Sequence, residues 1–149
     1  MTLAYARISI AAIFVGSLVV QIFAVFYCIW QKTIYWPDVT SFLIKLFEIY
    51  SVHFAVILAG TFVHLRGKAT TGRRASGIFW LAASLSSVWN LLLVGRTVGF
   101  VLSSQDSIDD LERDLTAISS AGSFLVAGAL TYFFSKSSEG LKPASEHSQ

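Results

Sequence analysis

Four long stretches of this chain are almost free of charge, and the segments between them carry charge of one sign at a time. The run from Arg66 through Lys68 to Arg73 and Arg74 is purely basic, whereas the stretch holding Asp106, Asp109, Asp110, Glu112 and Asp114 has only Arg113 against it. Ile8 to Trp30 is a run of 23 residues without a charge, and Gly77 to Gly95 is another of 19. A helix needs ~20 apolar residues to cross a hydrocarbon core. Charged residues make up 13% of the 149, against about a quarter in a soluble domain. The pattern predicts an all-α integral membrane protein, a four-transmembrane-helix bundle with spans at about 8–30, 40–65, 76–102 and 116–135. In this reading residues 1–135 are one membrane domain. The segment 136–149 has too little apolar surface to fold and is read as a disordered cytoplasmic tail.

The first span has the outline of a signal peptide, since Arg7 precedes an apolar run. That run outlasts the usual ~7–15 residues of such a region and ends in Cys28, Ile29 and Trp30 with no small-x-small cleavage site, which predicts a retained helix. Short cytoplasmic loops collect Lys and Arg. Placing the basic loop inside puts both termini inside as well. Arg7, Lys136 and Lys142 then join Arg66, Lys68, Arg73 and Arg74 on the cytoplasmic side, against Lys32 and Arg113 in the outer loops. Tyr27, Trp30, Tyr35 and Trp36 mark the outer interface on this orientation, and Trp80 and Tyr132 the inner one, because amphipathic rings favour the headgroup level. Trp89 falls near the middle of the third span, where its indole N–H needs a partner inside the bundle or at a protein contact.

The second outer loop reads differently from the first. Ser107 can cap a helix start with Asp110 three residues on, and Ile108, Leu111 and Leu115 recur at helical spacing, so an amphipathic turn or two is expected to run into the fourth span with its acids toward water.

Charges inside a span are functional candidates by default. Glu48 lies about 12 Å below Thr40 at the helical rise, and Arg96 about 9 Å from Leu102 on a span running the opposite way. Similar depth makes Glu48 and Arg96 a candidate intramembrane ion pair, with Lys45 sharing the carboxylate. Such a pair can orient two helices, conduct ions or protons, or meet a partner or lipid.

A second constellation falls at the midplane: Gln21, His53 and Asn90, with Ser119, Ser120 and Ser123 supplying hydroxyls. Ser17, Gln21, Ala24 and Cys28 share a face of span one; His53, Gly60 and His64 share one of span two; Ala83, Ser87, Asn90 and Thr97 share one of span three. Polar groups facing lipid would be unsatisfied, so these faces are expected to turn inward. They can form interhelical hydrogen bonds, line a hydrated cavity or hold a cofactor. Haem fits poorly, because His53 and His64 are about 16 Å apart along one helix and cannot ligate one iron. No cofactor and no metal are expected, as no Cys/His cluster has zinc spacing and Cys28 is alone.

Hydrolase elbows, metalloprotease helices, Cys-x-x-Cys pairs and phosphate-binding glycine loops are all missing from the sequence. Basic residues do not interleave with a stacking aromatic platform, which argues against nucleic acid. Small residues repeat every four positions at Ala12 and Gly16, at Ala83 and Ser87, and at Ser119, Ser123 and Ala127, a spacing that lets helices approach closely in lipid. The reading is therefore a non-enzymatic polytopic subunit that anchors or assembles a membrane complex. Membrane lipids and either a homo-oligomer or a cytoplasmic protein are its partners, and Arg66, Lys68, Arg73 and Arg74 contact anionic lipid or that protein. Size and plainness suggest a bacterial inner-membrane setting such as a stress or defence system. The alternative is an oligomeric ion channel or small transporter that uses the midplane polar layer.

Overall fold

The computed structural model describes residues 2–31, 34–66, 77–103 and 106–139. They form α1 (Leu3–Trp30), α2 (Trp36–Arg66), α3 (Gly77–Leu102) and α4 (Ile108–Glu139). With 28, 31, 26 and 32 residues, the helices run about 39 to 48 Å at the α-helical rise. That exceeds the ~30 Å hydrocarbon core and compares with the ~40–45 Å of a bilayer including headgroups. All four are long and apolar enough to cross a membrane.

Three helices start earlier than the apolar runs suggest. α2 begins at Trp36 rather than near Thr40, with Pro37 in its first turn, where the missing N–H costs nothing, and Asp38 beside the positive end of the dipole. α1 begins at Leu3, so Arg7 lies within it, buried, its guanidinium 5.7 Å from the centre of the Phe134 ring. α4 begins at Ile108, and the expected cap is present: the Asp110 backbone N–H donates to Ser107 Oγ at 3.2 Å, while the Ser107 hydroxyl donates to the Asp110 carboxylate at 2.7 Å. Leu111 and Leu115 are buried below it. At its other end α4 continues to Glu139, so the tail expected to be disordered from residue 136 is helical for its first four residues. An existing helix extends with one new hydrogen bond per residue fixed and needs no new nucleus. Residues 140–149 lie outside the described residues.

The helices pack as a ring in the order α1, α2, α4, α3, leaving α2 and α3 across a diagonal. Connections therefore join neighbours at the acidic end, where α1 meets α2 and α3 meets α4, and the 67–76 connection joins the diagonal pair. Buried positions recur every seven residues on the two diagonal helices: Val39, Leu46, His53 and Gly60 on α2, and Phe79, Ser86, Leu93 and Phe100 on α3. This is the spacing of a helix-packing seam. Two glycines set the distance to α4. Gly60 lies directly under the Phe134 ring, and a Cβ at Gly122 would sit 2.8 Å from Trp89 Cδ1. The outward surface is largely apolar, with Phe23, Leu91, Leu92 and Phe124 exposed, and Trp30, Tyr35 and Trp36 exposed at the acidic end opposite Trp80 and Tyr132 toward the other.

Candidate functional site

The polar residues of the four helices separate into a buried layer and two charged groups nearer the acidic end. The layer is built around Tyr50, which is fully buried on α2. Its hydroxyl accepts a hydrogen bond from Gln21 Nε2 of α1 at 2.7 Å and donates to Asn90 Oδ1 of α3 at 2.9 Å. Gln21 Oε1 in turn lies 3.1 Å from the Thr97 hydroxyl, whose single proton has a second acceptor in the Leu93 carbonyl at 3.0 Å, and Asn90 Nδ2 donates to the Ser86 carbonyl at 2.8 Å. From Gln21 through Tyr50 to Asn90 each member donates to the next, and the chain links three helices.

The fourth helix joins through His53. The ring is fully buried, with Nδ1 3.3 Å from the Ile49 carbonyl and Nε2 3.3 Å from the Ser123 hydroxyl of α4. A carbonyl can only accept, so in the neutral ring the proton sits on Nδ1 and Nε2 takes the Ser123 hydrogen. Aromatic rings enclose the imidazole: Phe14 stacks on it at 5.3 Å and Trp89 lies 4.4 Å away. Trp89 also lies 5.6 Å from Tyr50, so one aromatic cluster connects the two halves of the layer.

Gln21, His53, Asn90 and Ser123 thus converge as the sequence places them, but through Tyr50 and Thr97. Thr97 shares the expected face of span three. Tyr50 lies three residues before His53 on the same helical face, the signal by which it could have been found. Trp89 departs from expectation: among the described residues its indole nitrogen has no hydrogen-bond partner, and the same holds for the buried Ser86 hydroxyl. The indole is held by packing against Gly122 and the His53 ring.

The Glu48–Arg96 ion pair does not form. Arg96 Nε donates to Asp114 at 2.7 Å and Nη1 to Asp106 at 2.9 Å, whereas Glu48 accepts from Lys45 at 3.1 Å. Equal depth is not proximity. α2 and α3 lie on a diagonal with the buried layer between them, while Arg96 faces the adjacent helix α4. Asp114 lies six residues inside the start of α4, as Arg96 lies six residues inside the end of α3, so antiparallel neighbours bring them level. The acids of this segment do not all point to water, then: two converge on one guanidinium and tie the α3–α4 connection down.

Lys68, Arg73 and Arg74 lie outside the described residues. Arg66 is described only as the last residue of α2. Of the small-residue repeats, those of Ala83 with Ser87 and of Ser119, Ser123 and Ala127 are half-buried on packing faces. Ala12 and Gly16 are exposed, and a Cβ at Gly16 would meet nothing within 4 Å.

Chemically, Ser123 and His53 have the donor and acceptor of a nucleophile and its base. Their surroundings differ from a hydrolase site: Ser123 is in mid-helix, where the neighbouring backbone N–H groups belong to the α4 ladder, and the imidazole is shut in by rings. A groove of about 410 Å³ between α1 and α3 approaches Asn90 from outside, lined by Ile13, Gly16, Val20, Leu91 and Val94 with Ser17 and Ser87. Among the described residues, no group of three or more His, Cys, Asp or Glu is placed to hold a metal ion. Comparisons with family models, with curated proteins and with solved structures gave no match to this chain.

Proposed function

We propose that this chain is a non-enzymatic membrane subunit, a bundle inserted with both termini cytoplasmic that anchors or assembles a membrane complex. The observation that carries this reading is the closure of the polar layer. Gln21, Tyr50, His53, Asn90 and Thr97 are all buried and bonded to one another or to helix carbonyls and Ser123. Hydrogen bonds of this kind between membrane helices contribute about 0.6–2 kcal/mol each, so the layer has a sufficient role in holding four helices in register. Interaction is then left to the surface. On the cytoplasmic side Arg66, Lys68, Arg73 and Arg74 contact anionic lipid or an acidic soluble protein, each worth about 1 kcal/mol beside an anionic leaflet. A bacterial inner membrane, and a stress or defence complex within it, is the setting this reading favours.

An ion channel or small transporter is the rival class, and ion flux separates the two. Full-length chain reconstituted into liposomes is expected to move no more monovalent cation than protein-free vesicles. Flux above that background, abolished by Asn90→Leu, would replace this reading with the channel. Fusions of a cytoplasm-active and a periplasm-active reporter to the C-terminus test the orientation, and activity of the periplasmic one alone would invert it.

A further inference from the structure

Lys45 and Glu48 point away from the bundle at a level where water is scarce. Asn90 marks the centre of α3 and bonds Tyr50; Glu48 lies two residues from Tyr50, ~3 Å along the axis. Its side chain is 61% exposed and that of Lys45 36%. Ile44 and Val52, one turn to either side of Glu48, are also more than half exposed, so this is the outward face of α2. An ion pair left against hydrocarbon near mid-depth is costly, and charges at such positions almost always face protein or a water-filled cavity.

Other observations mark the same place. A groove of about 490 Å³ beside Lys45 of α2 is lined on α4 by Asp109, Glu112, Arg113, Thr116, Ala117 and Ser120. Within it Glu112 Oε1 is buried and, among the described residues, has no hydrogen-bond partner. Small exposed side chains, Ala55 on α2 and Thr116 and Ser120 on α4, stand beside these charges among larger apolar ones such as Ile44 and Val52. Small side chains let a neighbouring helix approach closely in lipid.

We propose that the α2–α4 seam is the surface on which a second copy of this chain packs, with Lys45 of each copy meeting Glu48 of the other. The proposal rests on the membrane reading above. Two copies inserted the same way are related by an axis along the membrane normal, so residues of one level meet, and a contact of i with j is repeated as j with i. Lys45 and Glu48 are of opposite sign and one turn apart, which makes the seam complementary to itself. A different helix would need two matching charges of its own at that level, and a lipid chain would leave both charges facing hydrocarbon.

The test uses the full-length chain in membranes, in a Cys28→Ser background, with single cysteines placed by Ala55→Cys on the seam and Leu91→Cys on the α1–α3 face. Oxidation is expected to cross-link Ala55→Cys into dimers and to leave Leu91→Cys monomeric. Glu48→Lys should weaken the dimer by roughly tenfold or more, the equivalent of one lost charge contact, and Lys45→Glu with Glu48→Lys should restore it. Glu48→Gln, which keeps the side-chain shape, should weaken it less than Glu48→Lys, and helical circular dichroism shows which variants are folded. A chain monomeric at every protein-to-lipid ratio, cross-linking through Leu91→Cys instead, or a dimer indifferent to Glu48→Lys overturns the proposal. Cross-links from Ala55→Cys to other proteins alone also overturn it. Dimers that conduct ions would remove the non-conducting reading and leave this interface standing; silent monomers would do the reverse.

Discussion

The Tyr50 chain and the Lys45–Glu48 pair occupy nearly the same level of α2, yet they meet opposite surroundings. Tyr50 is fully buried and bonded across to two other helices; Glu48, two residues away, faces outward and bonds only one turn along its own helix. Inside the bundle the alternative to a hydrogen bond is an unsatisfied group in a dry core, so each polar side chain there is committed to a neighbour. Outside, in the membrane setting proposed above, the alternative is lipid, and a local ion pair satisfies the charges only in part. The first arrangement fixes how four helices sit together, and the second leaves a charged pair at the surface.

The contrast can be broken at its largest effect by adding bulk. Gly60→Val would drive into the Phe134 ring, and overpacking of this kind costs about 1–3 kcal/mol or more, whereas Ala55→Val on the exposed side of α2 should leave the monomer's stability unchanged. Denaturation in mixed micelles measures both, and equal losses would mean that the interior has slack. Next in size is Tyr50→Phe, which removes the hydroxyl that both accepts from Gln21 and donates to Asn90. A loss of about 1–3 kcal/mol is expected, and a neutral result would show that the layer is satisfied some other way, for instance by water. Smallest is Lys45→Ala measured on the monomer, with a change within about 0.5 kcal/mol, as for exposed pairs a turn apart on one helix. A large loss there would mean that the pair holds the bundle itself and would remove the contrast.

Some of this was legible before any packing was known. Residue depth accumulates along a helix at a fixed rise, so the sequence alone placed Gln21, His53, Asn90 and Ser123 in one layer, and helical periodicity turned them inward. It also located the Ser107–Asp110 cap, because a cap is made by residues three apart. The partners of Arg96 and Glu48 were not legible. Depth is one coordinate of two, and the other, which helix stands beside which, depends on the ring order of the bundle. The diagonal placement of α2 and α3 gave Arg96 to Asp106 and Asp114 and left Glu48 with Lys45.

The amino-acid sequence by itself determined that there are four membrane-length apolar helices, which residues are polar within them and at what level, since these follow from composition, charge spacing and the helical rise. Only the tertiary structure decided that Tyr50 is the centre of the layer, that Trp89 is held by packing rather than by a hydrogen bond, and that one ion pair lies outside. Those outcomes depend on the azimuth and neighbours of each helix, which are set by side chains far apart in the chain filling one interior together.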